Sequence, residues 1–293
     1  PGNQRRGVCE ELHPEGRRVG QPGGRVSLRA VTLPLFTPDN DPGPSFVGLL
    51  GRLGVGTPDM PDRIDPALIT HGTTVVAVRY VDGVVMAGDR RATSGNFISH
   101  RTIEKVFPAD SHSGVAISGV AGLAMEMVRL FQLQLEHDEK VEGSPLSLDG
   151  KANQLSQMLR SHMPLAMQGL PVVPIFAGFD ERVGQGRLFQ FDGTGGRYEE
   201  RDYATTGSGS LHATTVIKLR HHDELDLDGA VDVVVEALFQ AADEDSATGG
   251  PDPVRGIYPI VASITADGFE RLDDQRVSDR TAVLLERLGG GVM

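Results

Sequence analysis

The sequence predicts an α+β fold in which two layered antiparallel sheets are covered by helix pairs. Three observations carry that prediction. Strand-type and helix-type patterns come in blocks and not in strict alternation, which argues against a parallel doubly wound sheet. Of 293 residues, 39% are hydrophobic, enough for a sizeable core. All regular patterning begins at residue 73, after a stretch of different composition.

Residues 1–72 hold 10 of the 18 prolines and 12 of the 37 glycines, with eight arginines, eight carboxylates and no lysine. Proline and glycine at that density oppose regular elements. The segment is net neutral, so the whole charge of −12 belongs to residues 73–293. Residues 1–72 therefore read either as an irregular terminal tail or as a removable or chaperoning segment, and composition alone does not separate the two. One exception inside it is Phe46–Leu50, which is expected to form a short amphipathic turn. The chain opens on Pro1, and residues 1 to about 25 are expected to be upstream translation, which mass spectrometry of the expressed protein checks.

From residue 73 the elements follow in order. Thr73–Tyr80 is rich in β-branched residues and reads as a strand. Asp82-Gly83 is a hairpin turn signal, and Val84–Ala87 returns as the second strand. Gly114–Ser118 is a further strand-like run. Gly122–Lys140 places Leu123, Met127, Leu130, Phe131 and Leu135 at helical spacing, and Leu148–Gln168 does the same with Leu155, Met158, Leu159 and Met163. Strands are expected at Val172–Phe179, Gly186–Asp192 and Gly196–Tyr203, then helices at Gly209–Leu219 and Leu227–Asp243. Strands at Tyr258–Ala266 and Phe269–Leu272 and a helix at Ser278–Leu288 end the domain.

Several function classes are disfavoured. The negative charge speaks against nucleic acid or an anionic membrane as partner. No apolar run approaches the roughly 20 residues of a membrane helix, and no secretory leader is expected. A single cysteine, Cys9, excludes an internal disulfide framework and argues for a reducing, cytoplasmic setting. No metal site is expected: His221-His222 are adjacent and would point apart on a helix. Asp192–Gly196 is glycine-rich but lies between strands, where a hairpin turn is the better reading. The Glu224–Gly229 stretch lacks the first and twelfth ligands of a calcium loop. Neither a serine-hydrolase elbow nor a phosphate loop occurs.

What remains is the junction in "ALITHGTTVVAVRY" at residues 67–80. If the Gly72–Thr73 bond is cut, Thr73 carries a hydroxyl and an α-amine on adjacent carbons. An α-amine has a pKa of about 7.7–8.0, so one residue supplies both nucleophile and base near neutral pH. Such a site needs a nearby cation, carboxylates to orient it and N–H donors for an oxyanion. Gly72 suits the cut, because it lets the upstream carbonyl approach the hydroxyl. Downstream, Asp89 follows the second strand. Lys105 lies in the strand-like stretch "RTIEKVF", Gly119 ends an apolar run, Ser208 stands at a helix start, and Asp245 and Thr248 share a tight turn. Taken singly, each has an ordinary reading: good strand residues for Thr73-Thr74, a charged strand end for Asp89, a snorkelling surface lysine for Lys105, a helix N-cap for Ser208, a turn carboxylate for Asp245.

Their joint order resembles the β-subunits of the proteasome core particle, most closely the actinobacterial type, over essentially all of residues 71–272. In that family a Gly-Thr junction is self-cleaved; here it is Gly72-Thr73. The family's acidic residue sixteen positions on falls at Asp89, and its lysine thirty-two positions on falls at Lys105. The oxyanion glycine falls at Gly119, the Gly-Ser-Gly serine at Ser208, and the Asp of Asp-x-x-Ser-Gly-Gly at Asp245. The serine of that turn is Thr248 here, which keeps the hydroxyl. "GVVMAGDRRAT", "LEHDEKVEG", "EDSATGGPD" and "VRGIYP" look specifically actinobacterial.

The resemblance implies a four-layer α-β-β-α sandwich of the N-terminal-nucleophile hydrolase type, with residues 1–72 as propeptide and 73–293 as the catalytic domain. It implies a threonine endopeptidase without cofactor. The subunit would sit with α-subunits and other β-subunits in four stacked seven-membered rings. A ring-shaped ATPase would feed it proteins tagged with a ubiquitin-like modifier. By motif position Ala92, Ile103, Phe107, Ile117, Ala121 and Met125 line the pocket for the residue before the cut. That wall is expected to be apolar, without buried charge, and to prefer hydrophobic residues. Thr93 and Gly119 are expected to bind the substrate backbone as an added strand. Two alternatives stay open. A simpler two-ring bacterial peptidase shares the Thr-Thr start and the lysine, but reads Gly-Asp-Gly-Gln where this chain has "GDRR". A structural ring subunit would lose the Thr, the Lys or the processing glycine, all of which are present.

Overall fold

The computed structural model describes residues 70–289. The expectations for residues 1 to about 25 and for Phe46–Leu50 lie outside the described residues. In chain order the strands are β1 (Thr70–His71), β2 (Thr74–Tyr80), β3 (Gly83–Gly88), β4 (Ala92–Ser94), β5 (Phe97–His100), β6 (Val106–Asp110) and β7 (Ser113–Gly119). Helices α1 (Ala121–Glu142) and α2 (Leu148–Met167) follow, then β8 (Val172–Asp180), β9 (Gln185–Phe191), β10 (Arg197–Glu200) and β11 (Tyr203–Gly207). Helices α3 (Ser210–Arg220) and α4 (Leu227–Glu244), strands β12 (Ile260–Thr265) and β13 (Gly268–Arg271), and helix α5 (Asp274–Gly289) complete the chain.

Two five-stranded antiparallel sheets form the centre. One has the order β11-β2-β3-β12-β13, the other β10-β9-β8-β7-β6. The side-chain period of two divides each inner strand between two apolar layers. On β2, Val76, Val78 and Tyr80 face the layer shared with α3, α4 and α5, and Val75 and Ala77 face the opposite sheet. On β3, Val85 and Ala87 face the helices, and Val84 and Met86 the other sheet. Burial on both faces explains why "TVVAV" reads as continuous apolar residues and does not alternate. Across the second sheet, Phe176 and Phe189 pack with Phe131 of α1 and Leu155 of α2. The architecture is helices, sheet, sheet, helices, as expected, with α5 joining the pair α3–α4 on one side.

Local signals set the helix ends. Ser147 caps α2 by accepting from the Gly150 N–H at 3.1 Å, and Asp226 caps α4 by accepting from Gly229 at 2.8 Å. Gly143 ends α1 in the left-handed region, its N–H bonded to the Glu139 carbonyl.

Three expectations need correction. The expected strand Gly196–Tyr203 is two strands in different sheets: β10 pairs with β9, and β11 pairs with β2. The polar pair Arg201-Asp202 carries the chain across, anchored where the Arg79 N–H donates to the Asp202 carbonyl at 2.8 Å. Lys105 does not lie within a strand; β6 starts one residue later. Strands β4 and β5 were not expected at all. All four residues of β5 are exposed, so no apolar alternation marks them.

Candidate active site

Strand pairing brings the distant residues together. β2 pairs with β3 so that the Asp89 N–H, just past β3, donates to the Thr74 carbonyl at 3.1 Å. β11 pairs with the other edge of β2, Gly207 opposite Thr74, and the Ser208 N–H donates to the Thr73 carbonyl at 2.9 Å. Gly207 has φ +106°, and a Cβ there would lie 1.9 Å from the Thr73 carbonyl oxygen. Only glycine permits that approach. From the second sheet, the Ile117 N–H of β7 donates to the Lys105 carbonyl at 2.9 Å.

At the centre, Thr73 is buried, and its hydroxyl donates to the Gly72 carbonyl oxygen at 2.6 Å. Lys105 Nζ donates to the same oxygen at 3.1 Å. It also donates to Asp89 Oδ1 at 2.6 Å and to the Arg91 carbonyl at 2.5 Å, so all three ammonium protons are used. Asp89 is fully buried and accepts four bonds: from Lys105 and the Thr74 N–H on Oδ1, and from the Arg91 and Gly249 N–H groups, each at 2.8 Å, on Oδ2. Burial pushes the Lys105 ammonium below its ordinary value, while the charge and hydrogen bond of Asp89 resist that fall.

A second chain of bonds flanks the first. Asp245 Oδ2 accepts from Ser208 Oγ at 2.5 Å and from Thr248 Oγ1 at 2.6 Å. Thr248 Oγ1 lies 2.6 Å from Thr74 Oγ1, which accepts the Gly209 N–H at 3.0 Å. Burial pushes the Asp245 carboxyl up, but the bonds from Ser208, Thr248 and the Ala247 N–H outweigh it and hold it below the usual range. Ser208 is not the cap of α3; Gly209 holds that position.

Gly72 has φ +101°, and a Cβ there would lie 2.6 Å from Thr93 Oγ1 and 2.8 Å from the Ala247 carbonyl. Upstream, β1 pairs antiparallel with β4, His71 opposite Thr93 and Thr70 opposite Ser94. An extended segment preceding Gly72 is thus laid along β4 as an added strand. Next to Gly72 and Thr73 opens a cavity of about 350 Å³, counting space that is open to solvent. Its wall includes Ala92, Ile103, Phe107, Ile117, Ala121 and Met125, and Gly119 borders it. The wall is not free of charge: buried Lys105 and exposed Glu104 also line it, and Glu104 is tied to Arg271 at 2.7 Å. Among residues that sequence reasoning missed are Thr74, Arg91, Gly249 and Glu104. The doubled threonine at the head of β2 was the signal for Thr74. Arg91 and Gly249 act through backbone atoms, which leave no mark in a residue type.

The family model for proteasome subunits matches residues 69–254, a span that contains every residue of this centre. The chain belongs to the proteasome subunit family, as a β-subunit. A proteasome subunit beta from Acidimicrobium ferrooxidans is 57% identical over 250 residues, 85% of this chain and 92% of the relative. Those from Jonesia denitrificans (54% over 237 residues; 80% and 78%) and Streptomyces griseus (58% over 217 residues; 74% and 77%) agree. As a proteasome β-subunit the chain serves a proteasome peptidase and assembles into a core with other subunits. No described helix of this proteasome subunit is long and apolar enough to cross a membrane.

Proposed function

We propose that this β-subunit is a threonine endopeptidase that first cuts itself at Gly72–Thr73, releasing residues 1–72 from the catalytic domain 73–293. The observation that carries the reading is the Gly72 carbonyl, met on one oxygen by the Thr73 hydroxyl and the Lys105 ammonium. In the uncut chain Thr73 Oγ attacks the Gly72 carbonyl carbon, and Lys105 polarises the carbonyl. The hydroxyl proton passes through water to the departing Thr73 nitrogen as the C–N bond breaks. An ester joins Gly72 to Thr73 Oγ, and water hydrolyses it to a Gly72 carboxylate and a free Thr73 α-amine.

That amine then serves as base toward substrate. It takes the Thr73 hydroxyl proton as Oγ attacks a peptide carbonyl, and returns it to the leaving amine as the acyl ester forms. Water resolves the ester. Lys105, held by Asp89, keeps positive charge beside the developing alkoxide. Ser208, Asp245 and Thr248 fix the Thr73 end of β2, and the Gly119 N–H receives the oxyanion. Thr93 and Gly119 hold the substrate backbone along β4, in the place that β1 takes here. Ala92, Ile103, Phe107, Ile117, Ala121 and Met125 receive an apolar residue before the cut.

The physiological reading follows the family: a closed chamber of α- and β-rings in the cytoplasm, a ring-shaped ATPase, and substrates carrying a ubiquitin-like tag. N-terminal sequencing after assembly with α-subunits tests the core of it. A mature end at Thr73 is expected, and Thr73→Ala abolishes both processing and peptidase activity. A mature end elsewhere, or an active Thr73→Ala particle, refutes the reading.

A further inference from the structure

Beside the Thr73 centre lies a second cavity, of about 510 Å³ counting space that is open to solvent, with different chemistry. Arg90, Arg91, Arg101 and Arg255 line it, against one lining carboxylate, Asp252. This concentration of positive charge stands in a chain whose net charge is −12. Asp252 is taken by Arg255 at 2.6 Å. The Arg91 guanidinium donates only to a neutral acceptor, the Ser246 carbonyl, at 3.0 Å. The Arg90 ion pair with Asp274 is long, 3.8 Å, and its Nε is closed off from solvent with no hydrogen-bond partner among the described residues. Arg101 makes no ion pair with any described residue.

Guanidinium groups that line one cavity repel, and a shielded donor left unbonded costs about 1–3 kcal/mol. Both costs fall when planar or tetrahedral oxygens enter, because guanidinium binds carboxylate and phosphate in bidentate fashion. We propose that this cavity is an oxyanion site that takes a carboxylate or phosphate group. Its position gives it a route to the catalytic centre. Arg91 and Gly249 face the cavity, and their N–H groups are two of the four donors that hold Asp89. The Arg91 carbonyl is one of the three acceptors that hold Lys105. A bound oxyanion steadies both segments from behind.

The oxyanion comes either from a small anion in solution or from an acidic side chain of a neighbouring copy. The test separates these, and reads binding and stability rather than peptide cleavage, so it is independent of the proposed activity. Inorganic phosphate and citrate are titrated into the full chain, alone and assembled with α-subunits, at ionic strength held constant with sodium chloride. A saturable rise in Tm of about 3–5 °C is expected at roughly ten times the dissociation constant. The rise disappears in Arg101→Ala/Arg255→Ala and weakens in the milder Arg101→Gln, whose exposed side chain is dispensable for folding. A rise in both forms supports a free anion. A rise in the unassembled chain alone supports a neighbour's carboxylate. No saturable rise in either form, or an equal rise in Arg101→Gln, overturns the proposal.

Discussion

Lys105 Nζ stands 2.6 Å from Asp89 Oδ1, and both side chains are closed off from water. A buried ion pair of this kind is poor evidence of net stabilisation, but removing one partner strands the other charge. Asp89→Asn and Lys105→Ala are therefore each expected to destabilise the subunit by about 3–5 kcal/mol. Neither should yield a chain starting at Thr73. Denaturant unfolding and N-terminal sequencing check the two effects separately. A processed Lys105→Ala chain would remove Lys105 from the chemistry.

Gly72→Ala tests the crowding at the junction. The added methyl would meet Thr93 Oγ1 and the Ala247 carbonyl, at a left-handed φ that alanine resists. The carbonyl must shift away from Thr73 Oγ. Processing is expected to slow by at least tenfold, seen as precursor persisting on a denaturing gel, with the fold intact by circular dichroism.

Thr74→Val keeps the shape of the side chain but leaves the Gly209 N–H and the Thr248 hydroxyl short of a partner. The expected cost is about 1–3 kcal/mol, at roughly 2–4 °C of Tm per kcal/mol. Thr74→Ser, which keeps the hydroxyl, should recover most of it. Equal losses in the two variants would mean that the methyl, not the hydrogen bonds, matters.

The lowered Lys105 value sets opposite pH trends for stability and activity. The native group releases its proton below its ordinary 10.5, whereas the unfolded chain still holds it there. In the window between the native value and 10.5 the unfolded state binds more protons, so stability rises with pH. Activity falls over the same window, because the charge beside Thr73 is lost. Peptidase rates and unfolding midpoints measured from pH 7 to 10.5 check both limbs, and Lys105→Arg should flatten them.

With Glu104 at the rim of the 350 Å³ cavity, the proposed pocket is expected to disfavour an acidic residue before the cut. Fluorogenic peptides ending in aromatic residues should outrun acidic ones by about tenfold or more. Glu104→Gln should speed cleavage after acidic residues and leave aromatic ones nearly unchanged. An unchanged ratio would place the selectivity in the apolar wall alone.

The parts of this molecule legible in the sequence are those that depend on side-chain type. Buried strands β2 and β3 show as β-branched runs, and helices α1 and α2 show as apolar stripes. Asp89 and Lys105 were placed by the family resemblance, and the structure brings them within hydrogen-bonding reach of each other. The short hairpin β4–β5 was invisible, because its three- and four-residue strands are too brief to alternate and the apolar Phe97 and Ile98 of β5 are exposed. So was the crossing at Arg201-Asp202, where one polar pair moves the chain between sheets. The mount of Asp89 was legible only in one of its four donors: Lys105 is a side chain, but the Thr74, Arg91 and Gly249 donors are peptide groups.

The pairing of Thr70–His71 with Thr93 and Ser94 has a kinetic meaning. β4 sits between β1 and β5, so while β1 is attached the cleft edge has no vacancy. A tethered strand competes at an effective concentration on the order of millimolar. A peptide arriving at micromolar levels loses that contest by roughly a thousandfold. If the chain is cut at Gly72–Thr73 as proposed, the uncut form is its own competitive inhibitor, and cutting turns a filled middle strand into an open edge.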